Sequence, residues 1–313
     1  MNIVFMGTSA FAVPSLRYLL ASTHKVVGVV TQPDRPRGRG RKLSPTPVKE
    51  LALKHDLPIT QPLKIKDSTA IALIKQWQPD LIVVVSYGQI IPAAILSFPR
   101  YGCINVHASL LPQYRGAAPI QRALMNGENI TGVTTMFMDE GLDTGDIILQ
   151  RSIFIEDSWD HGQLEAVLAE NGAELLMETI TRIAAGDIPR IKQDHSQASY
   201  AHRILAEDEI IDWSLPAVFI NNQIRALSPS PGAWCVLDGY KTKIFSSHVV
   251  DTCSEGLTAQ IVEVDRDSFK VQCGKGILEI LEVQREGKKR MLVRDFLRGN
   301  KLEPGIVLTQ PGG

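Results

Sequence analysis

Two short segments carry residue types suited to managing a proton and a charge at a reacting carbonyl. In Gly102-Cys-Ile-Asn-Val-His-Ala-Ser-Leu-Leu-Pro112, Asn105 and His107 stand two apart in an apolar run. On a β-strand that spacing puts both side chains on one face. An amide beside an imidazole can donate hydrogen bonds to a developing oxyanion and move a proton. The plainer alternative is an Asn that caps a turn and a His that fills a gap. The second segment sets Asp139, Asp143 and Asp146 around Gly141 and Gly145. Three acids among glycines suit a solvated hairpin turn. An acid facing His107 would instead orient the ring and stabilise its protonated form.

The elements around these segments alternate. Apolar runs at Asn2–Met6, Val26–Val30, Leu81–Val85 and Gly102–Val106 read as strands, with helical patterns at Pro14–Leu20 and Pro47–His55 between them. Continuous apolar strands separated by helices imply a mostly parallel, Rossmann-like sheet covered on both faces. Ligands in such sheets sit beyond the carboxyl ends of the strands, where Asn105 and His107 fall. Ala117–Met125 reads as a helix, Gly132–Met138 and Ile147–Ile155 as strands paired through the acidic turn, and Leu164–Ala185 as the longest helix, stopped by Gly186 and Pro189. Residues 188–206 are polar and lose periodicity, which predicts a linker.

Beyond the linker the texture changes. A helix at Ala217–Leu227 and the break Ser228-Pro-Ser-Pro-Gly232 precede alternating runs at Trp234–Leu237, Lys243–Ser246, Gln260–Val264, Ser268–Gln272 and Ile277–Val283. Five short antiparallel strands predict a small β-barrel of the OB type. The expected division is a catalytic domain over 1–187, a linker over 188–206 and an OB-like domain over 207–313.

Composition agrees with a two-domain globular chain. The 313 residues exceed one core of about 100–200 residues. With 44% hydrophobic and 21% charged residues, disordered, collagenous and coiled-coil chains are excluded. The four scattered cysteines form no metal-ligand or disulfide pattern. Neither a signal peptide nor an apolar run of about 18–20 residues is present, so the sequence predicts a cytoplasmic protein without membrane contact.

Nucleotide chemistry of the usual kind finds no support. The turn after the first strand, Gly7-Thr-Ser-Ala-Phe-Ala12, has one glycine where a dinucleotide fingerprint needs three, and no P-loop occurs. The net charge of −1 argues against a generally basic nucleic-acid binder, yet it hides two basic stretches. One, between Thr31 and Lys49, holds Arg35, Arg37, Arg39, Arg41, Lys42 and Lys49 against Asp34, with prolines and glycines that disfavour regular structure. The other holds Arg285, Lys288, Lys289, Arg290, Arg294 and Arg298. A solvated charged loop is the bland reading of the first. Its departure from the carboxyl end of a strand favours a grip on RNA phosphates.

Taken together, these segments resemble the methionyl-tRNA formyltransferase family within the folate-dependent formyltransferase superfamily. The resemblance rests on Asn105-Val-His-Ala-Ser-Leu-Leu-Pro112, Arg115-Gly-Ala-Ala-Pro-Ile-Gln121, Gly141-Leu-Asp-Thr-Gly-Asp146 and Thr31-Gln-Pro-Asp-Arg-Pro36. It extends to Ile211-Asp-Trp213 and Arg225-Ala-Leu-Ser-Pro-Ser-Pro-Gly232 in the second domain. Ser9, Ala10 and Ser230 depart from the family pattern. The resemblance implies Asn105, His107 and Asp143 as catalytic residues and 10-formyltetrahydrofolate as donor, without a metal. It implies folate contacts at Ser109, Leu110, Leu111 and Pro112, with Tyr87 and Gly88 continuing the pocket. Methionyl-initiator tRNA is the implied acceptor, met by Arg35, Arg37, Arg39, Arg41, Lys42, Lys288, Lys289 and Arg290 of a monomer. The alternatives are a formyltransferase acting on a small amine, or a formyltetrahydrofolate hydrolase.

Overall fold

The computed structural model describes residues 1–37 and 42–310. The chain begins with β1 (Asn2–Gly7), α1 (Val13–Leu20), β2 (Lys25–Val30), β3 (Arg35–Arg37), β4 (Lys42–Ser44), α2 (Pro47–Lys54) and β5 (Ile59–Thr60). Next come α3 (Ser68–Gln76), β6 (Leu81–Val85), α4 (Ala93–Leu96), β7 (Cys103–His107), β8 (Arg115–Gly116) and α5 (Pro119–Met125). β9 (Ile130–Phe137), β10 (Ile147–Phe154), α6 (His161–Ala185) and β11 (Tyr200–Ala201) complete this part. Packing divides the chain into two compact units. The first comprises Met1–Pro119, Ile130–Phe154 and Glu165–Ala201, the second Ile120–Asn129, Ile155–Leu164 and His202–Gly313.

The first unit is built on a seven-stranded sheet ordered β10-β9-β7-β6-β1-β2-β5. Strands β5, β2, β1, β6 and β7 run parallel, while β9 and β10 join antiparallel beside β7. Every residue of Leu81–Val85 and Cys103–His107 is buried, as apolar runs covered on both faces must be. Local chemistry sets the helix ends. Pro47 occupies the first turn of α2, and the Thr46 hydroxyl accepts from the Lys49 amide at 3.1 Å. Gly186, at φ +75°, stops α6 in the left-handed conformation that ends helices.

Two expectations give way. The proline- and glycine-bearing stretch after β2 does contain regular structure, because β3 and β4 pair as a hairpin with Pro36 opposite Leu43. A two-stranded ribbon tolerates proline, since each strand has an edge that needs no N–H donor. The polar stretch 188–206 is bonded to the first unit as far as Ala201. Ile191 bridges Ile147, and β11 pairs parallel with β8. Its ladder is two residues long, too short to imprint a sequence period.

The second unit contains α7 (Ala217–Leu227), β12 (Ala233–Leu237), β13 (Tyr240–Asp251), β14 (Ile261–Val264), β15 (Phe269–Gln272), β16 (Ile277–Arg285), β17 (Met291–Leu292) and α8 (Val293–Leu297). The sheet is antiparallel, ordered β12-β13-β16-β15-β14 with β17 on β16. Ile220, Ile224, Ile244, Phe269, Ile280 and Phe296 share its core. Residues 306–309 join its two edges: the Val236 and Thr309 backbones exchange two bonds, and Ile261 N–H donates to Ile306 O at 2.7 Å. That segment closes the barrel.

Candidate active site

The carboxyl end of β7 delivers Asn105 and His107, opposite Met136 and Thr134 of β9. His107 is 6% exposed, and its Nε2 lies 2.9 Å from the Tyr114 carbonyl oxygen. A carbonyl only accepts, so Nε2 carries hydrogen and donates. Nδ1 then faces Asp143, 3.8 Å from Oδ2. Among the described residues the Asn105 side-chain amide has no hydrogen-bond partner, which leaves its donors for a bound group. Tyr114 holds its carbonyl toward the ring from a left-handed backbone at φ +57°, with its N–H donated to Ser199 Oγ at 2.9 Å.

The loop between His107 and Tyr114 is pinned from β9. Thr134 Oγ1 donates to Ser109 O at 2.7 Å and accepts from Leu111 N at 3.2 Å and Gln150 Nε2 at 3.0 Å. Ser109 is fully buried, and its hydroxyl donates to Gln113 O at 2.6 Å. Leu111 packs with Met136 and Ile147, whereas Leu110 and Pro112 are partly exposed. Across β6, Tyr87 is buried and its hydroxyl has no partner among the described residues. Burial pushes that phenol up to about 12. Gly88 beside it is exposed at φ +90°. Ser9 Oγ donates to Ser86 Oγ at 2.8 Å, tying the turn after β1 to the end of β6.

The acidic turn sorts its three carboxylates. Asp139 Oδ1 caps the turn itself, accepting from Gly141 N at 3.0 Å and Thr144 Oγ1 at 2.7 Å. Asp146 is ion-paired with Lys192 at 2.9 Å and Arg190 at 3.6 Å. Asp143 alone faces the imidazole. Its backbone is left-handed at φ +53°, and Oδ2 accepts from Gly116 N at 2.9 Å. Oδ1 has no partner among the described residues. Beside it, Gly145 is confined: a Cβ there would stand 1.8 Å from Phe137 O.

Sequence reasoning missed the residue that anchors this turn. Gln193, buried in the stretch expected as a linker, donates from Nε2 to the carbonyls of Asp143 at 2.9 Å and Gly145 at 2.7 Å. Its Oε1 accepts from Arg115 Nη2 at 2.6 Å and Nε at 3.1 Å. One glutamine in an aperiodic polar segment carries no pattern by which to find it.

The basic residues divide by unit. Arg35 is exposed at the start of the β3–β4 hairpin, Arg37 and Lys42 are its innermost paired positions, and Arg39 and Arg41 lie outside the described residues. Lys49 and Gln61 hydrogen-bond Asp34 and hold its carboxyl below the usual range. In the second unit Lys288 and Lys289 are exposed in the turn between β16 and β17, whereas Arg290 pairs with Glu282 and lies over Phe245. Among the described residues, no group of three or more His, Cys, Asp or Glu is placed to hold a metal, and no helix is long and apolar enough to cross a membrane.

Comparison with known proteins covers both units. Residues 1–180 match the family Formyl transferase, and residues 203–301 match Formyl transferase, C-terminal domain. The methionyl-tRNA formyltransferase of Syntrophomonas wolfei is 58% identical over 314 residues, covering 100% of each chain. That of Citrifermentans bemidjiense is 50% identical, covering 98% of this chain and 96% of its own. Among solved structures, the sugar 3N-formyltransferase WlaRD, crystallised in the presence of dTDP and 5-N-formyl-THF, superposes with a TM-score of 0.67 at 21% identity. It covers 92% of this chain and 99% of its own. The methionyl-tRNA formyltransferase from Clostridium thermocellum gives 0.55 at 18%, covering 79% and 93%.

Proposed function

The chain belongs to the methionyl-tRNA formyltransferase family, and from that premise we propose that it moves the formyl group of 10-formyltetrahydrofolate to the α-amine of methionyl-initiator tRNA. The observation that carries this reading is the constellation of a partnerless Asn105 amide, His107 Nδ1 and Asp143 at the carboxyl end of β7. The folate supplies an activated formyl group on nitrogen. The residues manage charge and protons around it.

As the amine attacks the formyl carbon, negative charge collects on the formyl oxygen. The Asn105 amide and protonated His107 Nδ1 donate to that oxygen. Because Nε2 is committed to the Tyr114 carbonyl, only Nδ1 is free for this task, and the imidazolium so formed is ion-paired with Asp143. Asp143 Oδ1, open while Oδ2 is held by Gly116, takes the proton that the amine loses, directly or through water; as the adduct collapses, the bond from the formyl carbon to N10 breaks and that proton passes to N10, so tetrahydrofolate leaves. The exposed backbone at Gly88 and the partly exposed Leu110 and Pro112 line the folate side in this reading. Ser109, Leu111 and Tyr87 support it from within.

We assign catalysis to the first unit and tRNA phosphate contacts to both, through Arg35, Arg37, Arg39, Arg41 and Lys42 of the first and Lys288 and Lys289 of the second, with Arg290 held by Glu282. The protein works as a cytoplasmic monomer without a metal. The test is to incubate it with 10-formyltetrahydrofolate and, separately, methionyl-initiator tRNA, methionyl-elongator tRNA and free methionine. Formylation of the initiator species alone is expected; equal formylation of free methionine would refute the assignment. His107→Ala, Asn105→Ala and Asp143→Asn should each lower kcat by about 10²–10³-fold, the usual cost of losing one such group.

A further inference from the structure

Arg115 is 2% exposed and, among the described residues, the largest fully buried side chain. A buried guanidinium is costly unless it is paired, and among the described residues no carboxylate lies within ion-pair distance of it. Its partners are neutral: Gln193 Oε1, and His195 Nδ1 at 3.1 Å from Nη2. The charge is therefore spent on orienting an amide. Arginine only donates, so the Gln193 atom facing it must be oxygen. Carbonyls only accept, so the atom facing Asp143 and Gly145 must be nitrogen. All four hydrogen-bonding positions of that amide are filled, at 2.6, 3.1, 2.9 and 2.7 Å. The guanidinium polarises the amide and strengthens the two bonds it donates.

Those two bonds fall on the carbonyl of the acid that faces His107 and on the carbonyl two residues after it. Asp143 holds a left-handed backbone at φ +53°, which for a residue other than glycine is strained and persists where its surroundings impose it. The chain segment bearing Gln193 also hydrogen-bonds the far side of the site. Arg115 N donates to Ser199 O, and Tyr114, whose carbonyl holds His107, donates to the Ser199 hydroxyl. One strap thus sets both partners of the His107–Asp143 pair.

We propose that Gln193 is a positioning residue for formyl transfer: braced by Arg115, it holds the turn carrying Asp143 so that the carboxylate faces His107. The proposal rests on reading Asp143 as the acid of that reaction. The informative substitution is Gln193→Glu. It keeps an oxygen for Arg115, now as an ion pair, and loses both donors to the turn, so it separates positioning from simple stability. Gln193→Ala removes both halves.

Full-length wild type, Gln193→Glu, Gln193→Ala, Asp143→Asn and the Asp143→Asn/Gln193→Glu double variant would be compared in steady-state formyl transfer and in amide hydrogen exchange. For Gln193→Glu we expect kcat to fall about 10- to 100-fold, the penalty of misplacing a catalytic group by about 1 Å, with both KM values within about twofold of wild type. Exchange should accelerate at Gly116 N–H, whose acceptor is Asp143 Oδ2, and across residues 141–147. In the double variant the Gln193 substitution should add nothing to the loss from Asp143→Asn, because it acts through that carboxylate. A kcat within about twofold of wild type, a loss that multiplies in the double variant, or unchanged exchange at Gly116 would overturn the proposal. A wild type that transfers no formyl group would instead refute the reaction itself, and the exchange measurement would still decide whether Gln193 holds the turn.

Discussion

Replacing Thr134 with valine isolates the polar scaffold beneath the site. The two side chains have nearly the same shape, so no cavity forms and the hydroxyl alone is lost. That hydroxyl serves three groups: the Ser109 carbonyl, the Leu111 amide and the Gln150 amide. Gln150 retains its 2.9 Å bond to Leu111 O, so its loss is small. The buried Ser109 carbonyl and Leu111 N–H lose the partners that Thr134 provides. A buried group left unsatisfied costs about 1–3 kcal/mol, which places the total at about 2–4 kcal/mol after partial relaxation. In a unit of this size each kcal/mol moves the midpoint by about 2–4 °C, so the first unit should melt about 5–15 °C lower. Differential scanning calorimetry reads that shift. Because the loop from Ser109 to Tyr114 also sets the carbonyl that holds His107, kcat should fall at temperatures where the variant is still fully folded. A midpoint within about 2 °C of wild type, with kcat unchanged, would show that Thr134 does not pin the loop.

Other consequences are equally open to measurement. Gly145→Ala places a Cβ against the Phe137 carbonyl and must push the acidic turn aside, so kcat should drop by about tenfold or more while folate binding by titration changes little. Lys288→Ala with Lys289→Ala should lower the slope of log affinity for tRNA against log salt by about 2, whereas Arg290→Ala, whose guanidinium is engaged by Glu282, should change it little. Asp208 accepts two hydrogen bonds from Arg122, which hold its carboxyl below the usual carboxylate range. A depressed carboxylate contributes stability that is full above its unfolded value and lost as pH falls through its folded one. Urea titrations between pH 6 and about 2 should therefore find the acid limb shallower in Asp208→Asn.

Legibility in the sequence followed how local each feature is. Asn105 and His107 share one strand, and alternation alone puts them on one face. Four of the five parallel strands were readable because continuous β-branched runs such as Leu81–Val85 need cover on both sides, whereas β5, two residues long, leaves no run to read. Which of three acids faces the imidazole was not readable from spacing. That choice depends on Thr144 engaging Asp139, on Lys192 and Arg190 engaging Asp146, and on Gln193 holding the backbone between them. Only the family resemblance pointed to Asp143. The strap from Ile191 to Ala201 escaped because it is held by one isolated bridge, a two-residue ladder and side-chain bonds, none of which leaves a period. The β3–β4 hairpin escaped for the opposite reason: prolines that would disrupt a central strand are harmless in a ribbon.

The seam of the second unit's barrel has a bearing on how the protein is made. Every strand of the first sheet has been synthesised once the ribosome passes Phe154, and the strap is complete at Ala201. Strand β14 and the Val236 end of β12, by contrast, must wait for Ile306–Thr309 before their outer edges are covered, although Ile211 already bonds Trp234. Unpaired strand edges are templates for pairing with other chains. The time from Val264 to Thr309 is therefore an interval of exposure, set by translation speed rather than by the stability of the finished fold, and slow codons within it would lengthen the risk.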